Sequence, residues 1–380
     1  MRVVFLIGVF AAICSVIVNG QTSCNCEQAE FSNCLIATST PGECESYGSC
    51  AGYVCVENSE ITCSVGSALS PVAIGPPSGG IFPCAISPQP NVVPNWAATS
   101  TSVDLGIGSQ PEGITNFKST DVLVSSLAGR PVLRVNIATG AVSEFSQTGQ
   151  VTVGMYYSLV HDKLYAAGGP TGLVHTFRGT DGARLNPVNL DFGSSNGNLF
   201  INDLVVVGNT LYITDSFNPR LLVCQLSTEG VIQSFSEVPL GGAFVQPDGF
   251  GSNGIEFIEG KLVLISSSDG ALYQMTPPAF GQASVIATRV AVGTALTFGD
   301  GLRKGEDDQL YVVRNRINRV EVLRLSEGAL AGSIEKSITS PLFDVPTTVT
   351  VIGSNLYLPN ARFGNPDPTG IQYQVVRVPR

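Results

Sequence analysis

An apolar pair at the opening of a strand-like run returns six times along most of the chain, at Leu123-Val124, Leu164-Tyr165, Leu211-Tyr212, Leu262-Val263, Leu310-Tyr311 and Leu356-Tyr357. The spacings are 41, 47, 51, 48 and 46 residues. A repeat of that length holds one four-stranded antiparallel sheet, a unit that cannot bury both faces alone and so must stack against copies of itself. The period predicts an all-β fold, a six-bladed β-propeller spanning residues 95–380. Single repeats read the same way: Leu262 to Ile265 and Ala271 to Met275 are strand-like runs flanking the turn Ser266 to Gly270. An open ring would expose sheet edges, so Thr101 to Leu105 or the segment around Trp96 is expected to pair with the last repeat. A β-sandwich, the competing all-β fold, would not require so long a period.

Composition narrows the class further. Charged residues are 13% and apolar ones 43%, which supports a sizeable core and excludes a disordered chain. Gly 42 and Pro 23 favour turns and short strands over helices. A net charge of -10 repels phosphate backbones, so nucleic acid is excluded as a partner.

The first residues read as an address. Met1-Arg2, an apolar run from Val3 to Val18 and then Asn19-Gly20 have the layout of a secretory signal peptide over residues 1–20. The mature chain is expected to begin at Gln21 and to be secreted, with no membrane attachment once the signal is removed. No Asn-x-Ser/Thr sequon is present, so no N-glycan is expected.

Eight cysteines follow close together: Cys24, Cys26, Cys34, Cys44, Cys50, Cys55, Cys63 and Cys84. In an exported chain they predict a disulfide-rich module over 21–63, with Cys84 tying in the Pro/Gly-rich linker 64–94. Spacing leaves the pairing open. Zinc is disfavoured because no histidine lies near. The module is a candidate for engaging a glycan, a protein or a surface. Cys224, in the strand-like Leu221 to Cys224, reads as a buried thiol.

Chemistry gathers at one phase of the repeat. Glu112, Asn202, Asn253 and Asp300 stand nine to eleven residues before their strand pairs, which gives them one structural position in the first, third, fourth and fifth repeats. Met155 or Tyr156 stands near that phase in the second repeat and Thr347 in the sixth. The innermost strands of a propeller line a central axis, so these positions converge. Two carboxylates and two amide oxygens suit a hard cation, calcium or another divalent ion, and the absence of His and Cys argues against zinc. An axial polar network without metal is the other arrangement that these residue types allow. Asp181-Gly182 and Asp269-Gly270, each between two strand runs, read as turns.

The Pro111-Glu112-Gly113, Asn202-Asp203, Ser252-Asn253-Gly254 and Asp300-Gly301 signatures resemble the regucalcin and gluconolactonase superfamily of six-bladed propellers, which includes paraoxonases, diisopropyl fluorophosphatase and strictosidine synthase. The resemblance covers the repeats and not the cysteine-rich module. It implies a calcium or other divalent cation held by Glu112, Asn253 and Asp300 with Asn202 and Asp203 near it, and hydrolysis of a small-molecule lactone or ester. Asp300 would then be general base or ligand. The alternative function is a non-catalytic extracellular binding protein. The chain departs from paraoxonase-type catalysis in its histidines: His161 and His175 both read as structural or exposed. No Gly-x-Ser-x-Gly elbow is present. Arg314, Arg316 and Arg319 read as a solvated basic turn, and Arg362 as a residue able to reach the axial cleft.

Overall fold

The computed structural model describes residues 101–380 apart from 147–148, 186, 191–197 and 306–308, and before residue 101 only strand segments. The chain divides into two compact units, Met1–Val93 and Pro94–Arg380. In the first, strands Cys24–Cys26, Tyr53–Val56, Glu60–Val65 and Ala68–Ala73 pair antiparallel in that order. The segment 64–94 read as a linker is therefore strand in part, since Ala68–Ala73 belongs to this sheet, while the cysteine pairing and the cleavage site of the signal peptide lie outside the described residues.

The second unit is all-β. Among its described residues the only helical segments are two short 3-10 turns, Asn315–Ile317 and Glu327–Ala329. Its strands form successive antiparallel meanders of four. Sheet 1 comprises Ile114–Phe117, Asp121–Val124, Leu133–Asn136 and Val142–Glu144, and sheet 2 comprises Met155–Ser158, Lys163–Ala167, Leu173–Arg178 and Val188–Asn189. Sheet 3 runs from Ile201–Val207 through Thr210–Asp215 and Arg220–Leu226 to Ile232–Gly242. Sheet 4 runs from Ser252–Ile258 through Lys261–Ser266 and Leu272–Met275 to Val285–Arg289. The outer strands of sheets 3 and 4 join by a short parallel pairing, Leu240 to Gly242 with Val285 to Ala287, so the two form one eight-stranded sheet. Sheet 5 comprises Gly299–Lys304, Gln309–Arg314, Arg319–Leu325 and Gly332–Thr339.

Sheet 6 is assembled from both ends of the unit. Thr350–Ile352, Asn355–Pro359 and Gln372–Pro379 are completed by Ser102–Ile107, which pairs antiparallel with the last strand. The edge left bare by a three-stranded sheet is thereby covered, which is the role foreseen for the Thr101 to Leu105 segment.

The apolar pairs stand on the second strand of every sheet, and strand alternation explains them. Leu164 packs with Phe117 and Leu123 of sheet 1, while Tyr165 packs with Ile201 and Leu211 of sheet 3. Leu211 and Tyr212, Leu262 and Val263, Leu310 and Tyr311, and Leu356 and Tyr357 divide in the same way between the preceding and the following sheet. Six apolar clusters result, one between each sheet and the next, and the cycle closes where Val103, Tyr357 and Val375 meet Ile114, Val122 and Val135. Each fully buried Leu or Val contributes about 1.5–3 kcal/mol by leaving water. The first repeat needs a correction: Val122 faces sheet 6 and Leu123 faces sheet 2, so the true counterpart of Leu164-Tyr165 is Val122-Leu123, one residue earlier than the pair Leu123-Val124. Apolar identity is shared by all three residues, and only packing shows that Leu123 faces sheet 2 while Val122 and Val124 face sheet 6.

Candidate functional site

The polar phase residues stand where the chain enters the first strand of each sheet. Glu112 precedes Ile114–Phe117, and Asn202, Asn253 and Asp300 sit near the starts of the first strands of sheets 3, 4 and 5. In those three sheets the pairing register shifts across the residue itself, between Ile201 and Leu204, Ser252 and Ile255, and Gly299 and Leu302. A bulge of this kind re-aims a side chain that regular alternation would send into the space between sheets. The same phase is filled by Thr347 in sheet 6. In sheet 2 it is Val153, rather than Met155 or Tyr156, because the following Gly154 makes the contact to the next sheet that Gly301 makes elsewhere: Gly154 N–H donates to Asn202 O at 2.9 Å and Gly301 N–H to Thr347 O at 2.9 Å. Thr347 Oγ1 in turn donates to Glu112 O at 2.6 Å.

Close approach of the first strands is what the glycines after the phase residue allow. A Cβ on Gly154 would meet Asp203 Oδ1 and lie 2.6 Å from Asn202 O, and a Cβ on Gly301 would lie 2.7 Å from Thr348 Cα. Sheet 3 carries Asp203 at this place instead, and its carboxylate is buried: Oδ1 accepts from Leu204 N–H at 2.9 Å and Oδ2 from Ile255 N–H at 3.3 Å.

Small polar residues after the second strands hold the phase residues. Asn202 Nδ2 donates to Ser216 Oγ at 2.9 Å, and Ser216 Oγ donates on to Ser252 O at 2.8 Å. Asn253 Nδ2 donates to Ser267 Oγ at 2.9 Å, and Ser267 Oγ donates on to Gly299 O at 2.6 Å. In sheet 5 the same place belongs to Asn315, whose Nδ2 donates to Asp300 Oδ2 at 2.6 Å. Sequence reasoning passed over Ser216, Ser267 and Asn315. Each stands four residues after the second member of its apolar pair, so a second phase of the repeat carried the signal.

Three buried carboxyls share this end of the molecule. Burial, then the negative charges of Asp300 and Asp203, holds Glu112 well above the usual carboxylate range. Burial pushes Asp300 up to about 7, against the lowering effect of hydrogen bonds from Asn315 and Asn253, and Arg316 is near enough for its charge to act on it. Burial likewise pushes Asp203 up to about 7, offset in part by the Leu204 N–H, Arg303 and the Ile255 N–H. Glu112 Oε2 is buried with no hydrogen-bond partner.

A cation fits these residues. An unpartnered buried carboxylate oxygen, a second carboxylate in repulsion with it and two amides whose Nδ2 atoms are taken by serines make an oxygen-rich set of the hard type. Among the described residues no group of three or more His, Cys, Asp and Glu side chains is placed to hold a metal by itself, so the amide oxygens would be required.

The remaining sequence candidates lie apart. Arg362 does not turn to these carboxylates: its Nε donates to Asp344 Oδ2 at 2.7 Å and one terminal nitrogen to Gln372 O at 2.7 Å. Arg314 is not a solvated turn residue but pairs with buried Glu321 at 3.1 Å, whereas Arg316 is exposed and lies over Phe363. His161 is buried, with Nδ1 2.9 Å from Ser158 Oγ. His175 is buried 3.0 Å from Arg184, and burial with that positive charge lowers it to about 4. Cys224 is a buried free thiol, pushed up to about 12 by burial. Gly182 and Gly270 have positive φ, 66° and 67°, in the turns read from Asp-Gly.

No protein-family model matches the sequence, and no curated protein matches it. Solved structures do. The major allergen Mala s 1 of Malassezia sympodialis superposes with a TM-score of 0.57 at 16% identity, over 73% of this chain and 96% of that one. A luciferin-regenerating enzyme gives 0.52 at 13% identity, over 73% and 95%. A putative gluconolactonase gives 0.50 at 15% identity, over 75% and 94%. The likeness is one of fold.

Proposed function

We propose that the second unit is a six-bladed β-propeller whose blades are the six sheets, and that it binds calcium or another divalent cation through Glu112, Asn202, Asn253 and Asp300 to hydrolyse a lactone or related ester. The observation that carries this reading is Glu112: a carboxylate with one oxygen buried without a partner and in repulsion with Asp300 and Asp203 is costly unless a positive charge joins it. A bound cation would supply Lewis-acid polarisation of a carbonyl. Asp300 is the residue placed to take a proton. It is buried and held by hydrogen bonds from Asn315 and Asn253, and a cation beside it would favour the ionised carboxylate that a general base requires. Ser216 and Ser267 fix the two amides, so the site is set before any ligand arrives. Fold kinship with a putative gluconolactonase supports a hydrolase. The signal-like start supports export, with the disulfide-rich module outside the propeller.

The test is a calcium titration by calorimetry on the chain from Gln21, beside Glu112→Gln and Asp300→Asn, followed by a lactone and aryl-ester panel. Binding lost in both variants, with turnover lost in Asp300→Ala, is the expected result. Absence of calcium binding in the parent protein sinks the metal centre, and binding without turnover leaves a cation that only braces the ring.

A further inference from the structure

The residue two places before each polar phase residue is held in a recurring way. Gln110, Phe200, Gly251, Phe298 and Val345 each accept, through the backbone carbonyl, a hydrogen bond from a residue within three places of the end of the second strand of the same sheet: Leu127, Ser216, Ser267, Asn315 and Ala361. Two of these five are phenylalanines, and Phe250 stands next to a third. Ser216 and Asn315, which bond the Phe200 and Phe298 carbonyls, also bond Asn202 and Asp300 through their side chains. The rings and the polar set are therefore mounted on the same short segments.

Phe200 packs against the cluster between sheets 2 and 3, but the other three rings are not spent on the core. Phe250 is 41% exposed and Phe298 47% exposed, and neither they nor Phe217 belong to the six clusters between sheets. Phe200, Phe217 and Phe250 touch one another edge to face or tilted, with centroids 5.3 Å apart for Phe200 and Phe250, 6.0 Å for Phe200 and Phe217, and 4.9 Å for Phe217 and Phe250. Their mounting is rigid. Asp215 Oδ1, fully buried, accepts from the N–H of both Phe200 and Phe217 at 3.1 Å, and Asp215 Oδ2 is locked by buried Arg220 at 2.8 Å. Phe298 is held at φ 63°, a left-handed conformation that is costly for a large side chain, and Val345, at the same place in sheet 6, has φ 55°. Strain, a buried ion pair and exposed rings together are a poor way to stabilise a fold and a good way to present an apolar surface.

We propose that Phe200, Phe217, Phe250 and Phe298 form an aromatic collar beside the polar centre that receives the aryl or alkyl portion of an ester or lactone, so that the substrate is hydrophobic rather than sugar-like. This rests on the function proposed above. Ring faces and edges stack on aryl groups and shed water against alkyl chains, whereas they offer no partners to a row of hydroxyls, each of which loses hydrogen bonds when desolvated. The collar does not touch the reacting atoms; it selects and positions.

The experiment uses the protein from Gln21 with saturating calcium and two lactams, which keep the shape of a lactone and resist hydrolysis. One carries a phenylalkyl chain and the other several hydroxyls. Calorimetry should give at least about tenfold tighter binding of the phenylalkyl lactam. Phe250→Ala with Phe298→Asn should bring the two within about twofold while leaving calcium binding intact. Because Asn tolerates a left-handed φ, Phe298→Asn alone should not lower the thermal midpoint, which a ring kept for stability would require. Equal or tighter binding of the hydroxylated lactam, an undiminished preference in the double variant, or binding of neither lactam overturns the collar. Repeating the lactam titrations in chelator separates the two readings: loss of calcium binding with a surviving, collar-dependent preference condemns the metal centre alone.

Discussion

Asn315 Nδ2 lies 2.6 Å from Asp300 Oδ2, and the same residue's N–H reaches Phe298 O at 3.0 Å, so one asparagine ties the candidate base to the exposed ring beside it. The bond to the carboxylate is one of the interactions that hold Asp300 down against the upward push of burial. Asn315→Ala is expected to raise Asp300 further and to weaken calcium binding about tenfold near pH 7, with most of the loss recovered at pH 8.5 as the carboxyl ionises. Calorimetric titrations at the two pH values check it; an equal loss at both would mean that Asn315 acts through geometry alone.

The three buried carboxyls give the cation-free protein an unusual pH dependence. Asp300 and Asp203 lose their protons near 3.8 when unfolded and near 7 when folded. Between those values the folded state holds protons that the unfolded state has released, so these groups remove stability as pH rises from about 4 to about 7. Asp300→Asn should therefore stabilise the protein in chelator at pH 7.5 by roughly 1 kcal/mol or more, and should no longer be stabilised by calcium as the parent is. Urea unfolding with chelator and with calcium reads both effects. A variant less stable than the parent in chelator contradicts the account.

His175 works in the opposite direction. Its folded value of about 4 lies below the ordinary 6.5, because burial and Arg184 oppose its charged form. Above pH 6.5 neither state carries the proton and its contribution is complete. As pH falls from 6.5 towards 4 the unfolded chain takes up the proton first, and up to about 3 kcal/mol is lost. His175→Gln should flatten the stability profile across that window, measured by urea unfolding at pH 5 and pH 7. An unchanged slope would place the titration elsewhere.

Gly154→Ala tests the close approach of sheets 2 and 3. The added methyl would meet Asp203 Oδ1 and lie 2.6 Å from Asn202 O, and neither the backbone nor the buried carboxylate can yield cheaply. A cost of about 2 kcal/mol in unfolding is expected, together with weakened calcium binding, since Asn202 and Asp203 would both be displaced. Gly260→Ala, with open space around its Cβ but φ 71°, serves as the control: it should lose stability without losing calcium.

The chain's sequence by itself determined the repeat, the strand meanders and the phase at which Glu112, Asn202, Asn253 and Asp300 recur. Those features are written locally: side chains alternate along a strand, Asp-Gly and Asn-Gly close turns, and one unit is copied at a nearly constant interval. Tertiary structure decided the rest. Val122 and Leu123 differ only in which neighbouring sheet they face, so the first apolar pair was legible as a pair but not in its true phase. Val153, rather than Met155 or Tyr156, completes the ring of phase residues because Gly154 meets Asn202 across the sheets. Arg362 is drawn off by Asp344, a partner eighteen residues away in sequence and visible only once the loops are placed. The charge state of Glu112, Asp203 and Asp300 also belongs to the folded protein, since desolvation and repulsion act only when separate strands bring the carboxyls into one dry place. Phe200 and Phe298 became recognisable as counterparts only through a shared backbone hydrogen bond, which a sequence pattern does not display.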